Sequence, residues 1–271
     1  MTAVLSVTYD DLYLFNLPFA VYSWHKVNAG SLIIAPYVTR DAAAKVEAVD
    51  RCMRAIGCHF RWKYFASTKD KEATYAQCAR LYAASIPYLD VDETLVTADA
   101  DMCVFDPDFW HQFEGQESVN IIGADLVPEN QVPMCYITAP VFGWWTFMKI
   151  RTRRFQQCLD DLLDGIETDN FRGNYWAKDQ EEAYNRILAA SPPILKHNRA
   201  IPGTQLASRR ADRDGWPASI PTDIIDAHLP RPGNTPENFA KIKKLFATMY
   251  PGCDLRWMQQ YYEEYHSAAH D

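Results

Sequence analysis

The sequence has little glycine, 11 residues in 271, and no internal repeat or low-complexity segment. Fibrous proteins of the collagen type need periodic glycine, so that class is excluded. Basic residues are also fewer than acidic ones, 27 against 35, and the formal net charge is −8. Such a chain has no general electrostatic affinity for nucleic acid or anionic membranes, although a local basic patch is compatible with it. We expect no nucleic-acid partner.

Disulfide and export signals are missing as well. The seven cysteines are odd in number, scattered, and never spaced as Cys-x-x-Cys. A chain of this length does not need disulfides, so we expect reduced thiols and a cytoplasmic location. The first residues lack the cationic segment of a signal peptide. The longest uncharged stretch, 130–148, is broken by proline and glycine, so no transmembrane segment is expected.

Hydrophobic residues make up 48% of the chain, which is enough for a large core. Apolar runs typical of strands alternate with stretches of helical periodicity. The strands are predicted at 4–8, 31–38, 59–66 and 94–105. The helices are predicted to end near 26 and to span 41–56, 72–84, 144–163 and 179–189, with further C-terminal helices from 234. This order predicts an α/β, Rossmann-like fold with a mostly parallel central sheet flanked by helices. In such sheets ligands bind beyond the carboxyl ends of the strands.

Four Asp-x-Asp triplets occur, at 90–92, 99–101, 106–108 and 212–214, so a bare triplet carries no information. Context favours Asp99 and Asp101, which interrupt an apolar run. Burying two carboxylates is costly unless a cation compensates them. Mg²⁺ or Mn²⁺ prefers oxygen ligands and takes its remaining positions from a diphosphate. The alternative is a solvated pair of carboxylates at the sheet edge.

A rival motif is Asp90-Val91-Asp92-Glu93-Thr94, which matches the nucleophile signature of haloacid-dehalogenase-type phosphatases. There the first aspartate attacks phosphorus and the second acts as acid and base. That signature follows directly on a buried strand. Here the preceding residues include Pro87 and suit a helix that ends in a turn.

Segments 73–81, 86–89 and 93–105 together resemble the core of GT-A glycosyltransferases, most closely the glycogenin and bacterial lipopolysaccharide galactosyltransferase type. Segments 7–13, 176–185 and 224–233 match further parts of that pattern in the same order. The resemblance implies a sugar nucleotide, with a UDP-sugar favoured, as donor and a glycan or other hydroxyl as acceptor. It implies a metal-dependent hexosyl- or pentosyltransferase.

The same resemblance implies one GT-A catalytic domain over 1–233. Residues 1–105 would form the nucleotide-binding half and residues 106–233 the acceptor half. A helical extension at 234–271 would pack on this domain.

The resemblance also assigns site residues. Nucleotide and donor sugar would be bound by Thr8, Tyr9, Tyr13, Arg80, Asp99 and Arg231. The metal, Mn²⁺ or Mg²⁺, would be held by Asp99, Asp101 and His228. Catalytic roles beside the sugar and acceptor would fall to Asp179, Gln180 and Arg80. Each also has an ordinary structural interpretation, such as a surface arginine, a core tyrosine or histidine, or a helix cap.

Two departures from the family bear on specificity. The family's Lys-Pro-Trp type ending is replaced by residues 229–233, so Arg231 instead of a lysine would meet the phosphate. The central Asn-x-Gly element appears only as residues 138–143, so the donor sugar is not identified.

The stereochemistry is open at this point. Inversion needs a carboxylate base, for which Asp179 and Glu181 are candidates. Retention needs no strong base, and Asp179 or Gln180 would then shield the cationic sugar; the resemblance leans toward retention.

An aromatic cluster is a candidate acceptor platform, formed by Trp144, Trp145, Phe147 and Trp176, and we expect about half of it to be core packing. Alternatives to the transferase are the phosphatase and a non-catalytic nucleotide-sugar-binding module.

Overall fold

The computed structural model describes residues 1–123, 127–164, 177–190, 197–198 and 209–268. Its first half alternates strands and helices in the order β1 (Thr2–Ser6), α1 (Leu17–Lys26), β2 (Gly30–Pro36), α2 (Ala43–Ala55), β3 (Phe60–Phe65), α3 (Glu72–Ala79) and β4 (Thr94–Asp99). The middle of the chain forms β5 (Met102–Val104), α4 (Pro107–His111), β6 (Val119–Ile121), β7 (Ile137–Pro140), α5 (Val141–Met148) and α6 (Phe155–Leu162). The remainder forms α7 (Lys178–Ala189), β8 (His197–Asn198), β9 (Arg210–Ala211), β10 (Asp226–His228), α8 (Pro236–Met249) and α9 (Arg256–Ser267).

The central sheet has the strand order β3-β2-β1-β4-β7-β6-β8. Strand β1 pairs in parallel with β2 and β4, and β2 pairs in parallel with β3. Strand β7 runs antiparallel to β4 and β6. Helices cover both faces, which explains why β1, β2 and β4 are nearly continuous apolar runs. The predicted α/β class with a mostly parallel central sheet is confirmed.

A second sheet of three strands, in the order β5-β10-β9, lies beside the end of β4. Strand β10 is antiparallel to β5, and His228 pairs with Met102. The Leu229 N–H donates to the Asp101 carbonyl at 2.8 Å. This small sheet therefore carries the late part of the chain to the turn between β4 and β5.

The two C-terminal helices pack on the first helices of the chain. The Phe15 ring, just before α1, stacks on Tyr261 of α9 at 5.2 Å between centroids, and the Phe19 ring of α1 packs edge-on against Phe246 of α8 at 5.6 Å. Helix α8 begins at Pro236, two residues after the predicted start, and its first turn is capped by the Thr235 hydroxyl, which accepts from the Asn238 N–H. The proposed division into catalytic domain and extension stays a prediction.

Three predicted elements differ from the structure. The helix predicted over 72–84 ends at Ala79 and continues as a 3-10 turn over Arg80–Ser85. The predicted helix over 144–163 is two helices, separated where Lys149 adopts a left-handed conformation with φ of 58°. The apolar run 94–105 forms two strands, because the chain turns between Asp99 and Met102. Among the described residues, every helix is too short or too polar to cross a bilayer.

Candidate functional site

A cavity of about 230 Å³ opens at the carboxyl ends of β1 and β4. The last residue of β4, Asp99, and the segment just after β1 form one wall, and α3 forms another. Six of the predicted site residues line this cavity: Thr8, Tyr13, Arg80, Asp99, Gln180 and Arg231. The geometry therefore brings together residues that are more than 200 positions apart in the chain, as the distance of 218 positions between Tyr13 and Arg231 shows.

Arg80 is the buried centre of this arrangement, with 7% of its side chain exposed. It begins the 3-10 turn that follows α3 and faces the end of β4. Its Nη1 donates to the Asp99 carboxylate and, at 3.1 Å, to the Ala98 carbonyl. Its Nη2 donates to Asp179 Oδ2 at 2.9 Å. The guanidinium thus joins two carboxylates through its rigid fork of N–H donors.

Asp179 lies behind Arg80 and is fully buried. Its Oδ1 accepts from Gln77 Nε2 and from the Gln180 N–H, both at 2.9 Å. Burial raises the pKa of Asp179, and the Arg80 guanidinium opposes that rise. In this arrangement the carboxylate holds Arg80 in place and does not line the cavity. Its predicted catalytic role stays a prediction.

Asp99 faces the cavity with 30% of its side chain exposed. Burial favours its neutral form, but Arg80 outweighs burial, and the pKa of Asp99 is lowered. The side chain is therefore ionised at neutral pH and accessible to a ligand.

Asp101 is fully buried next to the cavity and is surrounded by cations. Its Oδ2 accepts from Arg213 Nη1 at 2.9 Å and from Arg231 Nε at 2.5 Å. The same oxygen lies 3.2 Å from His228 Nε2. Burial favours the neutral carboxyl, but His228 and Arg231 outweigh it, so the pKa of Asp101 is lowered. Its other oxygen, Oδ1, is buried and has no partner among the described residues.

His228 reaches Asp101 because β10 pairs with β5 directly after the turn. Its Nδ1 lies 3.9 Å from the Asp212 carboxylate. Burial favours the neutral imidazole, but Asp101 outweighs it and raises the pKa of His228 to about 9. In this arrangement both ring nitrogens carry protons at neutral pH.

The predicted metal ligands meet only in part. Within the described ranges, no three acidic, histidine or cysteine side chains are grouped closely enough to hold a metal ion by themselves. The unpartnered Asp101 Oδ1 and the exposed Asp99 carboxylate are nevertheless oxygen donors of the kind Mn²⁺ and Mg²⁺ prefer. These ions commonly take one or two carboxylates and complete their shell with substrate phosphates. The two carboxylates have the donor chemistry that such an ion prefers, whereas His228, protonated beside Asp101, has no free nitrogen for a metal in this arrangement. The predicted set of metal ligands stays a prediction.

The two predicted nucleotide-binding tyrosines have different surroundings. The Tyr13 hydroxyl accepts from Arg231 Nη1 at 2.8 Å, and the Arg231 guanidinium lies 4.3 Å from the Tyr13 ring centroid. Tyr13 thus holds Arg231 from one side while Asp101 holds it from the other. Tyr9 donates its hydroxyl proton to the Pro36 carbonyl and lines an adjacent depression of about 440 Å³.

Gln180 contributes a buried polar atom to the cavity. It follows Asp179 at the start of α7 and lines the cavity. Its side-chain oxygen Oε1 is buried and accepts no hydrogen bond from the described residues. A buried amide oxygen in that state costs free energy unless a ligand or water donates to it.

Two of the four aromatic residues in the candidate acceptor platform belong to the core, in line with the expectation that about half of them do. Trp144 and Phe147 are buried in the core, with ring centroids 4.7 Å apart, so no ligand can stack on them. The two residues lie three positions apart in α5, so they share one face of the helix, and that face packs against the core. Trp145 is half-buried, and its indole N–H donates to the Ala84 carbonyl at 2.6 Å. Trp176 lies outside the described residues.

The phosphatase motif lies far from this cavity. Asp90 and Asp92 are exposed in a turn at the amino end of β4, where Asp90 Oδ1 accepts from the Asp92 N–H at 3.1 Å. The residues before the turn form the 3-10 turn Arg80–Ser85, not a strand. The signature's defining context is therefore missing, and the structure does not support the phosphatase alternative.

Sequence reasoning missed two residues of the site, Arg213 and Gln77. Both line the cavity, and Arg213 donates to Asp101 while Gln77 donates to Asp179. Arg213 lies inside the Asp212-Arg213-Asp214 triplet, and a basic residue between two acidic ones could have marked it as a candidate site residue.

No protein-family model matches this chain, and no curated protein matches it either. Solved structures do share its fold. An active-site mutant of the galactosyltransferase LgtC superposes with a TM-score of 0.50 at 12% identity, covering 98% of this chain and 96% of that chain. LgtC in complex with donor and acceptor sugar analogues gives 0.47 at 12% identity over the same shares, and apo mouse xyloside xylosyltransferase 1 gives 0.43 at 9% identity over 84% and 96%. The first likeness shows that the chain has the GT-A fold.

Proposed function

We propose that the chain is a metal-dependent glycosyltransferase that moves a sugar from a nucleotide-diphosphate sugar, preferably a UDP-sugar, to a glycan hydroxyl. The observation that carries this proposal is the cavity that Arg213, Arg231 and Asp99 line together with Gln180, whose side-chain oxygen has no hydrogen-bond partner among the described residues. Arginine forks match phosphate oxygens, and an amide oxygen accepts from sugar hydroxyls. The GT-A fold shared with LgtC, a galactosyltransferase, supports the same reaction class.

The shape of the site supports an elongated ligand. The donor cavity shares Thr8 and Ala73 with the adjacent depression that Tyr9 and Lys45 line. A nucleotide sugar has three consecutive parts, a base with ribose, a diphosphate and a sugar. We assign the base and ribose to the depression and the diphosphate and sugar to the cavity.

We assign Mn²⁺ or Mg²⁺ to Asp99 and Asp101, with His228 joining as a neutral imidazole. Such an ion, when bound, neutralises the negative charge that builds on a departing diphosphate. Arg231 and Arg213 add positive charge on the same side of the cavity and orient the phosphates. Tyr13 and Asp101 hold Arg231 in that orientation through bonds of 2.8 and 2.5 Å.

The stereochemistry of the transfer depends on whether a carboxylate, Asp179 or Glu181, can act as a base near the acceptor. Asp179 is ion-paired with Arg80 and fully buried, so it is not free to take a proton from an acceptor hydroxyl. Glu181 is exposed on the first turn of α7 and stays a candidate base. We favour retention of configuration, in which Gln180 accepts from a sugar hydroxyl and no strong base is needed.

Thermal unfolding with UDP and MnCl₂ tests the binding part of this proposal. A ligand at about 100 times its Kd stabilises the fold by about 2.7 kcal/mol, which is readily measured. Asp99→Asn should lose the Mn²⁺-dependent part of the stabilisation, because its exposed carboxylate becomes a neutral amide. Asp90→Asn makes the same chemical change in the exposed turn and should keep it. Equal behaviour of the two variants, or no effect of UDP, would refute the assignment.

Incubation with a panel of UDP-sugars, followed by NMR, separates an enzyme from a binding module. Slow release of sugar from one donor, sensitive to EDTA, is expected of the transferase, and the anomer first released reports the stereochemistry. A protein that is stabilised by UDP but releases no sugar from any donor would be the binding module.

A further inference from the structure

A second groove, of about 680 Å³, lies beside β3, which is the edge strand of the central sheet. Its walls come from the end of β3, the segment before β4 and the connection between α5 and α6. The described residues that line it are all different from those that line the donor cavity. The proposed transfer reaction does not use it.

The charge of this groove is opposite to that of the chain. Four basic residues line it: Lys63, Arg151, Arg153 and Arg154. No described acidic residue is part of the lining, although acidic residues outnumber basic ones in the whole sequence by 35 to 27. Arg153 pairs with Asp161 of α6, but Arg151 and Arg154 form no ion pair with any described residue. Two exposed positive charges are therefore available to a ligand.

Aromatic side chains accompany this charge. Tyr37 is 64% exposed at the end of β2, and its ring stacks on Tyr64 with centroids 6.2 Å apart and planes inclined by 21°. Trp145 lines the same groove, fixed in orientation by its bond to the Ala84 carbonyl. An aromatic face carries negative charge density that attracts polarised C–H groups, and sugar rings present such groups on their flat faces.

We propose that this groove binds an anionic glycan, meaning a sugar chain that bears carboxylate, phosphate or sulfate groups. Charge complementarity selects an anion, and the exposed aromatic faces select a ligand with sugar rings. The choice of a glycan over other anionic polymers rests on the proposed function.

A glycan held here would act on transfer through proximity. Tyr37 follows β2 at the same carboxyl edge of the sheet as the donor cavity. A chain anchored in the groove keeps its free end at a high effective concentration near that edge. The groove would therefore favour long or repeatedly extended acceptors over short ones.

Direct binding to short oligosaccharides of polygalacturonate and of heparin tests the proposal, using the full chain at low salt without nucleotide or metal. The double variant Arg151→Gln with Arg154→Gln should bind about tenfold more weakly, and added salt should weaken wild-type binding more than variant binding. Tyr37→Ala should weaken binding about threefold, since an exposed ring is removed without disturbing the core. The control, Lys26→Gln with Lys243→Gln, removes two exposed charges elsewhere and should bind like wild type.

Several results overturn the proposal. The proposal is wrong if neither glycan binds, or if the control variant loses as much glycan affinity as the double variant. It is also wrong if polyglutamate binds as tightly as the glycans, which would indicate a peptide site. Binding of phosphatidylglycerol vesicles without binding of either glycan would also overturn it. The glycan-binding assay contains no donor, so it is independent of the proposed transfer reaction. If the protein binds glycan but UDP does not stabilise it, the transfer reaction is refuted and the glycan-binding groove is not.

Discussion

Removing the Arg80 guanidinium should destabilise the protein by an amount that grows with pH. Arg80→Met keeps much of the buried side-chain volume but leaves the Asp179 carboxyl without its cation. Asp179 is fully buried, whereas Asp99 is 30% exposed and keeps contact with water. Breaking a buried ion pair on one side typically costs about 3–5 kcal/mol, because the remaining charge is uncompensated.

The pH dependence follows from the protonation of Asp179. Burial already raises its pKa with Arg80 present, and without the guanidinium the pKa rises further. Between the ordinary value near 4 and the raised value, the folded state binds a proton that the unfolded state has lost, so stability falls as pH rises. Each pH unit inside that window costs about 1.4 kcal/mol. From pH 5 to 7 the variant should therefore lose stability more steeply than wild type, by at most about 2.7 kcal/mol over these two pH units.

Urea unfolding at pH 5, 6 and 7 measures this difference. Arg80→Met combined with Asp179→Asn should recover most of the loss at pH 7, since the amide carries no charge at any of these pH values. Arg186→Met removes a partly exposed arginine that pairs with Glu182 on α7 and serves as the matched control. It should cost less than about 1 kcal/mol with no added pH slope. A pH-independent loss in Arg80→Met, or no recovery in the double variant, would refute the reasoning.

Three further changes have definite expected outcomes. Gly233→Ala places a Cβ 2.1 Å from Asn16 Oδ1, so we expect the free energy of unfolding to fall by about 1–3 kcal/mol. Adding Asn16→Ala should recover part of this loss, and an unchanged Tm in the single variant would contradict the expectation. Tyr13→Phe removes the hydroxyl that accepts from Arg231 and should weaken UDP binding by calorimetry about threefold to tenfold, whereas equal affinity would show that Arg231 needs no such support. Cys253 is exposed and should be the fastest thiol to react in the native protein, while Cys78, whose pKa burial raises, should react only after unfolding; loss of the fast phase in Cys253→Ser checks the assignment.

The parallel half of the fold could be predicted because its elements are regular and buried. Strand β2 was expected at 31–38 and spans Gly30–Pro36, and α2 was expected at 41–56 and spans Ala43–Ala55. Burial on both sheet faces gives continuous apolar runs, and burial of one helix face gives the helical spacing. Short elements leave no such pattern, so β9, with two residues, was not predicted.

The predicted site residues came from a resemblance of local sequence segments. That resemblance did not predict which side chains they would bond to. Thr8, Tyr13, Arg80 and Asp99 follow secondary-structure elements whose ends meet at one sheet edge, so the topology alone brings them close. Arg213 donates to an aspartate 112 positions earlier, a pairing that depends on the second sheet. A contact fixed by tertiary strand pairing has no signature in the local sequence.

The charge arrangement at Asp101 explains how one carboxylate can serve two purposes. Oδ2 accepts from Arg213 and Arg231 and lies beside His228, so this one oxygen contacts three basic side chains. Oδ1 has no partner among the described residues, although a buried carboxylate oxygen normally requires one. Under the proposed function, this side chain would orient Arg213 and Arg231 toward the diphosphate and keep its second oxygen for a metal ion. An arginine-rich site and a metal-dependent one are consequently compatible here, since they use different oxygens of the same residue.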